Sequence, residues 1–316
     1  MSQKNSKPVV LTIAGLDPSG GAGVIRDIHT FISLGCYSTA AITSLTFQND
    51  EQVWGAEHLS PETLSAQLAP IIHQYSVAGV KTGMLPTSEI VRAVARLVRE
   101  TNLPAPVVDP LMRSTSGYAL IEEGALETMV AELLPQARVI TPNILEAQRL
   151  TGLRIVDEAG MRQAAAAIRA LGAQAVLVKG GHLPEPPTET GNAASESLGP
   201  RASRPLSLDN RSVGEDFPMI AQPPSAIEPM QQAGGTPAVP VTAPEVVPVA
   251  EAIDVLDDEG IVTVFRSAWI ASANVRGTGC MLSAAIAACL AKGMCLKDSV
   301  AEAKRFVNDS ILRSGV

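Results

Sequence analysis

"VVLTIAGLDPSGGAGVIRDIHTFISLG", Val9 to Gly35, runs a short apolar stretch into a glycine-rich turn, and the turn into an amphipathic stretch. The apolar stretch reads as a buried strand and Val24 to Gly35 as a helix with one apolar face. The same alternation continues: "TAAITSLTFQ" then Pro61 to Gln74, "AGVKTGM" then Thr87 to Thr101, "APVVDPLM" then Glu122 to Leu134. "ARVITPN" comes next, with helical spacing over Asn143 to Gly152 and Asp157 to Gly172, and then "AVLVKGG". Strands and helices taking turns predict an α/β fold: a doubly wound, mostly parallel sheet with helices on both faces. Ligands of such sheets bind beyond the carboxyl ends of the strands, so Asp17, Gln48, Lys81, Asp109, Asn143 and Lys179 are predicted to converge along one edge.

From Pro184 to about Val249 the composition shifts to Pro, Ser, Ala, Glu and Gly, as in "PEPPTETGNAASESLGPRASRPLS". Most of this stretch has neither strand nor helix periodicity, which predicts a disordered insertion over 184–250 within one domain spanning 8–316. The chain beyond the insertion is too short for a second domain. "EAIDVLDDEGIVTVFRSAWI" reads as a hairpin turning at Asp257 to Gly260, and two helices close the chain after Gly279.

The 316 residues, 46% hydrophobic, are enough for a large core. A formal net charge of −8 gives no long-range attraction to nucleic acid or to an anionic membrane, so small molecules are the predicted partners. The four cysteines, Cys36, Cys280, Cys289 and Cys295, form no CxxC pair and no cluster with histidine, as expected of a reducing compartment. "MSQKNSKPVVLTIAG" is too short in its apolar part for a signal peptide and no run reaches membrane-span length; the expectation is a cytoplasmic protein.

Several stretches carry candidate chemistry. "AGLDPSGGAG", Ala14 to Gly23, matches neither the P-loop nor GxGxxG; it is either a tight turn or backbone approaching a substrate, with Asp17 adding a carboxylate. "TPNILEA" sets Asn143 and Glu146 three apart at a helix start, where both face one side or Asn143 is simply the cap. "VVDPLM" and "VLVKGGH" end strands with Asp109 and Lys179. "VRGTGCMLSAAIAACLAKG", Val275 to Gly293, opens a helix with two glycines and Cys280, where unpartnered backbone N–H groups suit an anion. A helix N-terminus also lowers a thiol's pKa, so Cys280 is expected to supply thiolate near neutral pH.

In order, "AGLDPSGGAG", "SLTFQN", "VKTGML", "VVDPLM", "TPNILEA", "VLVKGGHL" and "RGTGCMLSAAIA" resemble the ribokinase-like kinases. Within them the match is to the hydroxymethylpyrimidine and phosphomethylpyrimidine kinases of thiamine biosynthesis, over Val9 to Leu183 and Asp254 to Arg313. The resemblance implies ATP-dependent phosphorylation of 4-amino-5-hydroxymethyl-2-methylpyrimidine and then of its monophosphate. It makes Cys280 the candidate base, with the amides of Gly277, Thr278 and Gly279 as an anion hole. Asp17, Gly21, Gln48 and Met84 are the implied substrate contacts, Gln48 reading the aminopyrimidine edge with its amide's paired donor and acceptor. Lys179, Asp109 and Arg276 are implied on the phosphate side, and Mg²⁺ at Asp109, Asn143 and Glu146. The chain departs from the family at Arg276, where His is common, and at Leu16, where many members have Ser. Pyridoxal or pyridoxine kinase is the alternative enzyme and a binding protein on the same fold the non-catalytic one; a homodimer is left open.

Overall fold

The computed structural model describes residues 7–114, 116–182, 251–270 and 276–314. Its centre is a nine-stranded sheet in the order β3-β2-β1-β4-β5-β6-β7-β8-β9. The strands are β1 Val9–Leu16, β2 Tyr37–Gln48, β3 Val53–His58, β4 Val77–Thr82, β5 Val107–Val108, β6 Val139–Ile140, β7 Ala175–His182, β8 Glu251–Asp258 and β9 Ile261–Ala268. From β2 to β7 every neighbouring pair is parallel, while β3, β8 and β9 join antiparallel at the two edges. The predicted mostly parallel sheet is therefore present. β3 escapes the sequence pattern because it is a short edge strand interrupted by Gly55 and ending in Glu57 and His58, without the apolar run of the central strands.

Helices α1 Gly23–Ser33, α7 Thr278–Ala291 and α8 Leu296–Ser314 cover one face, and α2 Pro61–Gln74, α3 Ser88–Glu100, α4 Glu123–Thr128, α5 Ile144–Thr151 and α6 Glu158–Ala170 the other. Successive strand residues divide between the two layers. Val10, Val107, Val139 and Leu177 pack under α1, α7 and α8; Leu11, Val108, Ile140 and Val178 pack under the second group. α7 is apolar all round because it is enclosed: every residue from Cys280 to Cys289 is buried. Capping sets several helix starts. Ser60 accepts from Thr63 N–H with Pro61 at the first helical position, Thr87 accepts from Ile90 N–H, and Asp157 accepts from Gly160 N–H. The helix predicted over Glu122 to Leu134 is interrupted: α4 passes into a π turn over Met129–Leu133 and a 3₁₀ turn over Leu134–Gln136. Pro135 has no N–H to continue the ladder at that point. No described helix is long and apolar enough to cross a membrane.

The predicted 184–250 insertion lies outside the described residues. Its two flanks are adjacent in the sheet, since β7 and β8 pair antiparallel with His182 opposite Ala252. A short connection can close that gap, as it does in a hairpin. Replacing Pro187 to Pro248 with a short Gly/Ser link is therefore expected to preserve cooperative unfolding. Stability should stay level or rise by about 1–2 kcal/mol, because each halving of a flexible loop lowers its closure cost by roughly 0.6 kcal/mol. A urea titration showing a lost or broadened transition would mean that the segment packs as part of the domain.

Candidate active site

Two glycines set the site. Gly277, the N-cap of α7, has φ 71°, and a Cβ placed on it would lie 2.2 Å from the Gly21 carbonyl oxygen. Gly23, at the start of α1, has φ 59°, and its Cβ would lie 2.2 Å from the carbonyl oxygen of Gly15. A side chain at either position would collide with backbone: Gly23 closes the β1–α1 turn on itself, and Gly277 brings the entry to α7 directly against that turn. α7 has no side-chain cap, and its first-turn residues Thr278, Gly279 and Cys280 line the adjoining cleft. Backbone N–H groups of an uncapped first turn are suited to an anion.

The cleft measures about 1350 Å³ and runs along the carboxyl ends of the parallel strands. A pocket for one small ligand is typically ~300–1,000 Å³, so this cleft has room for two reactants side by side. Asp17, Gln48, Lys81, Asp109, Asn143 and Lys179 all line it, which is the convergence the strand pattern predicted. Met84, Glu146, Arg276, Gly277, Thr278, Gly279 and Cys280 line it too. Gly21 is the exception: it packs against Gly277, and its carbonyl accepts from Arg26 Nε at 3.2 Å. Its role is in the turn.

Each charged side chain is held from more than one side. Lys179 Nζ donates to Asp109 Oδ1 at 2.9 Å, and a Cβ on Gly279 would come within 3.2 Å of that ammonium, so it stands beside the start of α7. Asp109 also accepts from Thr141 Oγ1 and Ser283 Oγ, each at 3.3 Å. Burial opposes the Asp109 charge, but Lys179 and Lys81 outweigh it and hold the carboxyl below its usual range. Asn143 is the cap that the second reading of its motif allowed: its Oδ1 accepts from Glu146 N–H at 2.9 Å, and Glu146 Oε2 accepts from Asn143 N–H at 2.8 Å. Burial, aided by the Asp109 charge, raises Glu146 to about 7 despite Lys179. Asp17 is turned partly inward, Oδ1 accepting from Ser19 N–H and Oγ–H and Oδ2 from Ala22 N–H. Arg276 donates to the Asn49 carbonyl at 2.6 Å, tying the β2–β3 turn to the α7 entry.

The expected thiolate at Cys280 is corrected by the structure. The residue is 4% exposed, and burial pushes its thiol up to about 11, overcoming Lys81 and a hydrogen bond from the Gly23 amide. Desolvation outweighs the helix N-terminus. Sequence reasoning also placed Lys81 at a strand end without giving it a role. It is fully buried and paired to Asp27 Oδ2 at 2.7 Å, with Thr12 Oγ1 donating to the same oxygen at 2.6 Å. Burial opposes its charge, but Asp27, Cys280 and Asp109 together raise its pKa, leaving a permanent cation under the thiol. The signal available in the sequence was the alternation of "VKTGM", which aims this lysine and its apolar neighbours into opposite layers.

Among the described residues, no three or more His, Cys, Asp and Glu side chains gather in a way that could hold a metal. The donor set at Asp109 and Glu146 nonetheless fits one hard divalent cation of the kind bound by one or two carboxylates together with phosphate oxygens. Glu146 is a buried carboxylate next to a second negative charge, and a cation relieves both penalties.

Two outcomes test this geometry. Gly277→Ala is expected to cost about 1–3 kcal/mol of stability and to lower turnover at least tenfold, because it forces a Cβ into the Gly21 carbonyl; unchanged thermal unfolding and turnover would show that the two turns are free to separate. Glu146 has a folded-state pKa of about 7 against an ordinary 4.5, so its stabilising contribution is complete below pH 4.5 and is lost as pH rises to about 7. In metal-free buffer Glu146→Gln should match the parent at low pH and exceed it above pH 7, by on the order of 3 kcal/mol. Parallel stability curves across that range would contradict the burial-driven shift.

The chain matches a family model described as phosphomethylpyrimidine kinase over residues 17–198 and 223–315. It is 44% identical over 204 residues to a hydroxymethylpyrimidine/phosphomethylpyrimidine kinase of Streptomyces coelicolor, covering 65% of this chain and 74% of the relative. A Rhizobium meliloti protein with the same name is 35% identical over 96% of this chain and 90% of its own length. Among solved structures, phosphomethylpyrimidine kinase from Clostridium difficile superposes with a TM-score of 0.68 at 29% identity, covering 96% of this chain and all of that one. Pyridoxal kinase from Staphylococcus aureus in complex with AMP-PCP gives 0.70 at 26% identity, covering 97% and 89%.

Proposed function

Because the chain belongs to the phosphomethylpyrimidine kinase family, we propose that it transfers the γ-phosphoryl group of ATP to 4-amino-5-hydroxymethyl-2-methylpyrimidine and then to the resulting monophosphate. The observation that carries this reading is the position of Cys280 in the first turn of α7, inside a cleft that also holds Gln48 and the Lys179–Asp109 pair. Phosphoryl transfer needs positioning and charge neutralisation more than covalent help, and these residues divide that work.

The pyrimidine lies toward β1 and β2, between Met84 and Gln48, with its hydroxymethyl oxygen directed at Cys280. Gln48 offers a paired donor and acceptor to the ring nitrogen and the exocyclic amine. The transferring group sits over the amides of Gly277, Thr278 and Gly279, whose N–H groups are oriented before the charge develops. Lys179 bridges from Asp109 to the phosphate oxygens. Asp109 and Glu146 would hold Mg²⁺, which would supply charge neutralisation at the phosphate oxygens; Asn143, engaged as the cap, orients Glu146 rather than joining the ion. Arg276, fixed by the Asn49 carbonyl, orders the β2–β3 turn beside Gln48 and presents its remaining N–H groups to phosphate. Residues 184–250 are read as an insertion in this kinase domain. The net charge of −8 suits a cytoplasmic enzyme of small molecules with no nucleic-acid or membrane partner.

The likeness to a pyridoxal kinase favours pyridoxine as a second substrate to be weighed. Pyridoxine lacks the exocyclic amine that Gln48 pairs with. Gln48→Leu is expected to lower kcat/KM for the pyrimidine alcohol by about 10- to 100-fold, the equivalent of roughly 1–3 kcal/mol, and to affect pyridoxine much less. Equal losses on the two compounds, or a parent preference for pyridoxine, would overturn the pyrimidine reading.

A further inference from the structure

The two acceptors of the proposed reading, on which this inference rests, differ at the attacking atom. An alcohol must lose its proton as the O–P bond forms. A phosphomonoester carries about −1.5 to −2 charge at pH 7, with its second pKa near 6, and attacks through an oxygen that has no proton to lose. One side chain meets both. We propose that Cys280 acts as a base only toward the alcohol and faces the monoester as an uncharged S–H, so that its capacity to be neutral is what admits the second acceptor to the same site.

The surroundings of the thiol support both states. It is enclosed at the first turn of α7, where the Gly23 amide of the β1–α1 turn donates to the sulfur. Lys81 faces it from β4 and Lys179 from β7, while Asp27 faces it from α1 and Asp109 from the end of β5. Glu146, from α5, acts one layer further out, through Lys179 and Asp109. With its thiol pushed up to about 11 by burial, Cys280 is an uncharged S–H at pH 7. A carboxylate in the same surroundings keeps a lower pKa than a thiol and so carries charge at pH 7 in a far larger share of molecules, adding a third anion to Asp27 and Asp109 as the monoester enters. Lys81 and the Gly23 amide stabilise the minor thiolate when an alcohol needs it.

Both reactions balance. In the first, the thiolate takes the hydroxyl proton and becomes S–H. The hydroxymethyl oxygen forms its bond to the γ-phosphorus, and the bond from that phosphorus to the β-phosphate breaks with its electron pair leaving on ADP. The thiol proton then returns to solvent. In the second, a monoester oxygen forms the same bond, ADP leaves in the same way, and the S–H keeps its proton throughout.

The measurement is the ratio of kcat/KM for the pyrimidine alcohol to that for its monophosphate, on one preparation, from pH 7 to 9. Glu146 titrates near 7 and acts on both reactions, as do Asp109 and Lys179, so the ratio isolates Cys280. The ratio should rise about tenfold per pH unit, since only the alcohol reaction draws on the thiolate. Cys280→Ala and Cys280→Ser should lower the alcohol reaction by about 10²- to 10⁴-fold and the monoester reaction by no more than about tenfold. Cys280→Asp should keep part of the alcohol reaction while losing at least about a hundredfold on the monoester, through like-charge repulsion. A flat ratio, equal losses on both acceptors in the Ala and Ser variants, or an Asp variant that uses the monoester as well as the Ala variant does would each overturn the proposal. If the parent phosphorylates neither compound, the functional reading itself falls and this inference with it.

Discussion

The close approach of two glycine turns is the constraint on which the site depends. With Gly277 against the Gly21 carbonyl and Gly23 against that of Gly15, the β1–α1 turn and the α7 entry touch backbone to backbone. That contact brings together segments more than 250 positions apart in the chain. It also determines what Cys280 experiences. The sulfur receives the Gly23 amide while α7, buried from Cys280 to Cys289, closes off solvent behind it. A side chain at Gly277 would push the amides of α7 away from the β1–α1 turn, and one at Gly23 would open that turn itself.

Around this contact the cleft balances charge in pairs. Lys81 is matched to Asp27 and Lys179 to Asp109, one pair beneath the thiol and the other beside the helix start. Buried pairs like these contribute little net stability, since desolvation of both ions offsets their attraction. Their value is electrostatic and local: a phosphoryl group entering the cleft meets fixed cations and oriented amides, with no reorganisation needed as charge develops. Glu146 is left with its charge disfavoured by burial and by Asp109, a penalty that a further cation beside it would relieve.

Much of this was legible in the chain. The period of the apolar residues, two in strands and 3.6 in helices, delivered the sheet, its direction and most helix limits; Pro61 to Gln74 matches α2 residue for residue. Strand ends at Asp17, Gln48, Lys81, Asp109, Asn143 and Lys179 were placed on one edge because a parallel sheet leaves them nowhere else. β3 was missed because an edge strand with little to bury carries little pattern. The broken helix after Thr128 was missed because its apolar residues keep helical spacing while Pro135 removes a donor.

What the sequence by itself determined is therefore the fold and the chemical types present: which layer each apolar residue enters, which polar residues reach the cleft, and that a cysteine opens α7. Tertiary structure alone decided the state of those groups. Whether Asn143 caps a helix, whether Gly21 faces the cleft, and whether Cys280 is charged depend on distances and solvent exposure set by residues remote in sequence. A helix N-terminus favours a thiolate wherever it occurs, but burial beneath α7 raises this thiol to about 11. Apolar periodicity is a local property of the chain and can be read from it, whereas desolvation is a property of the assembled surroundings and exists only once the chain has folded.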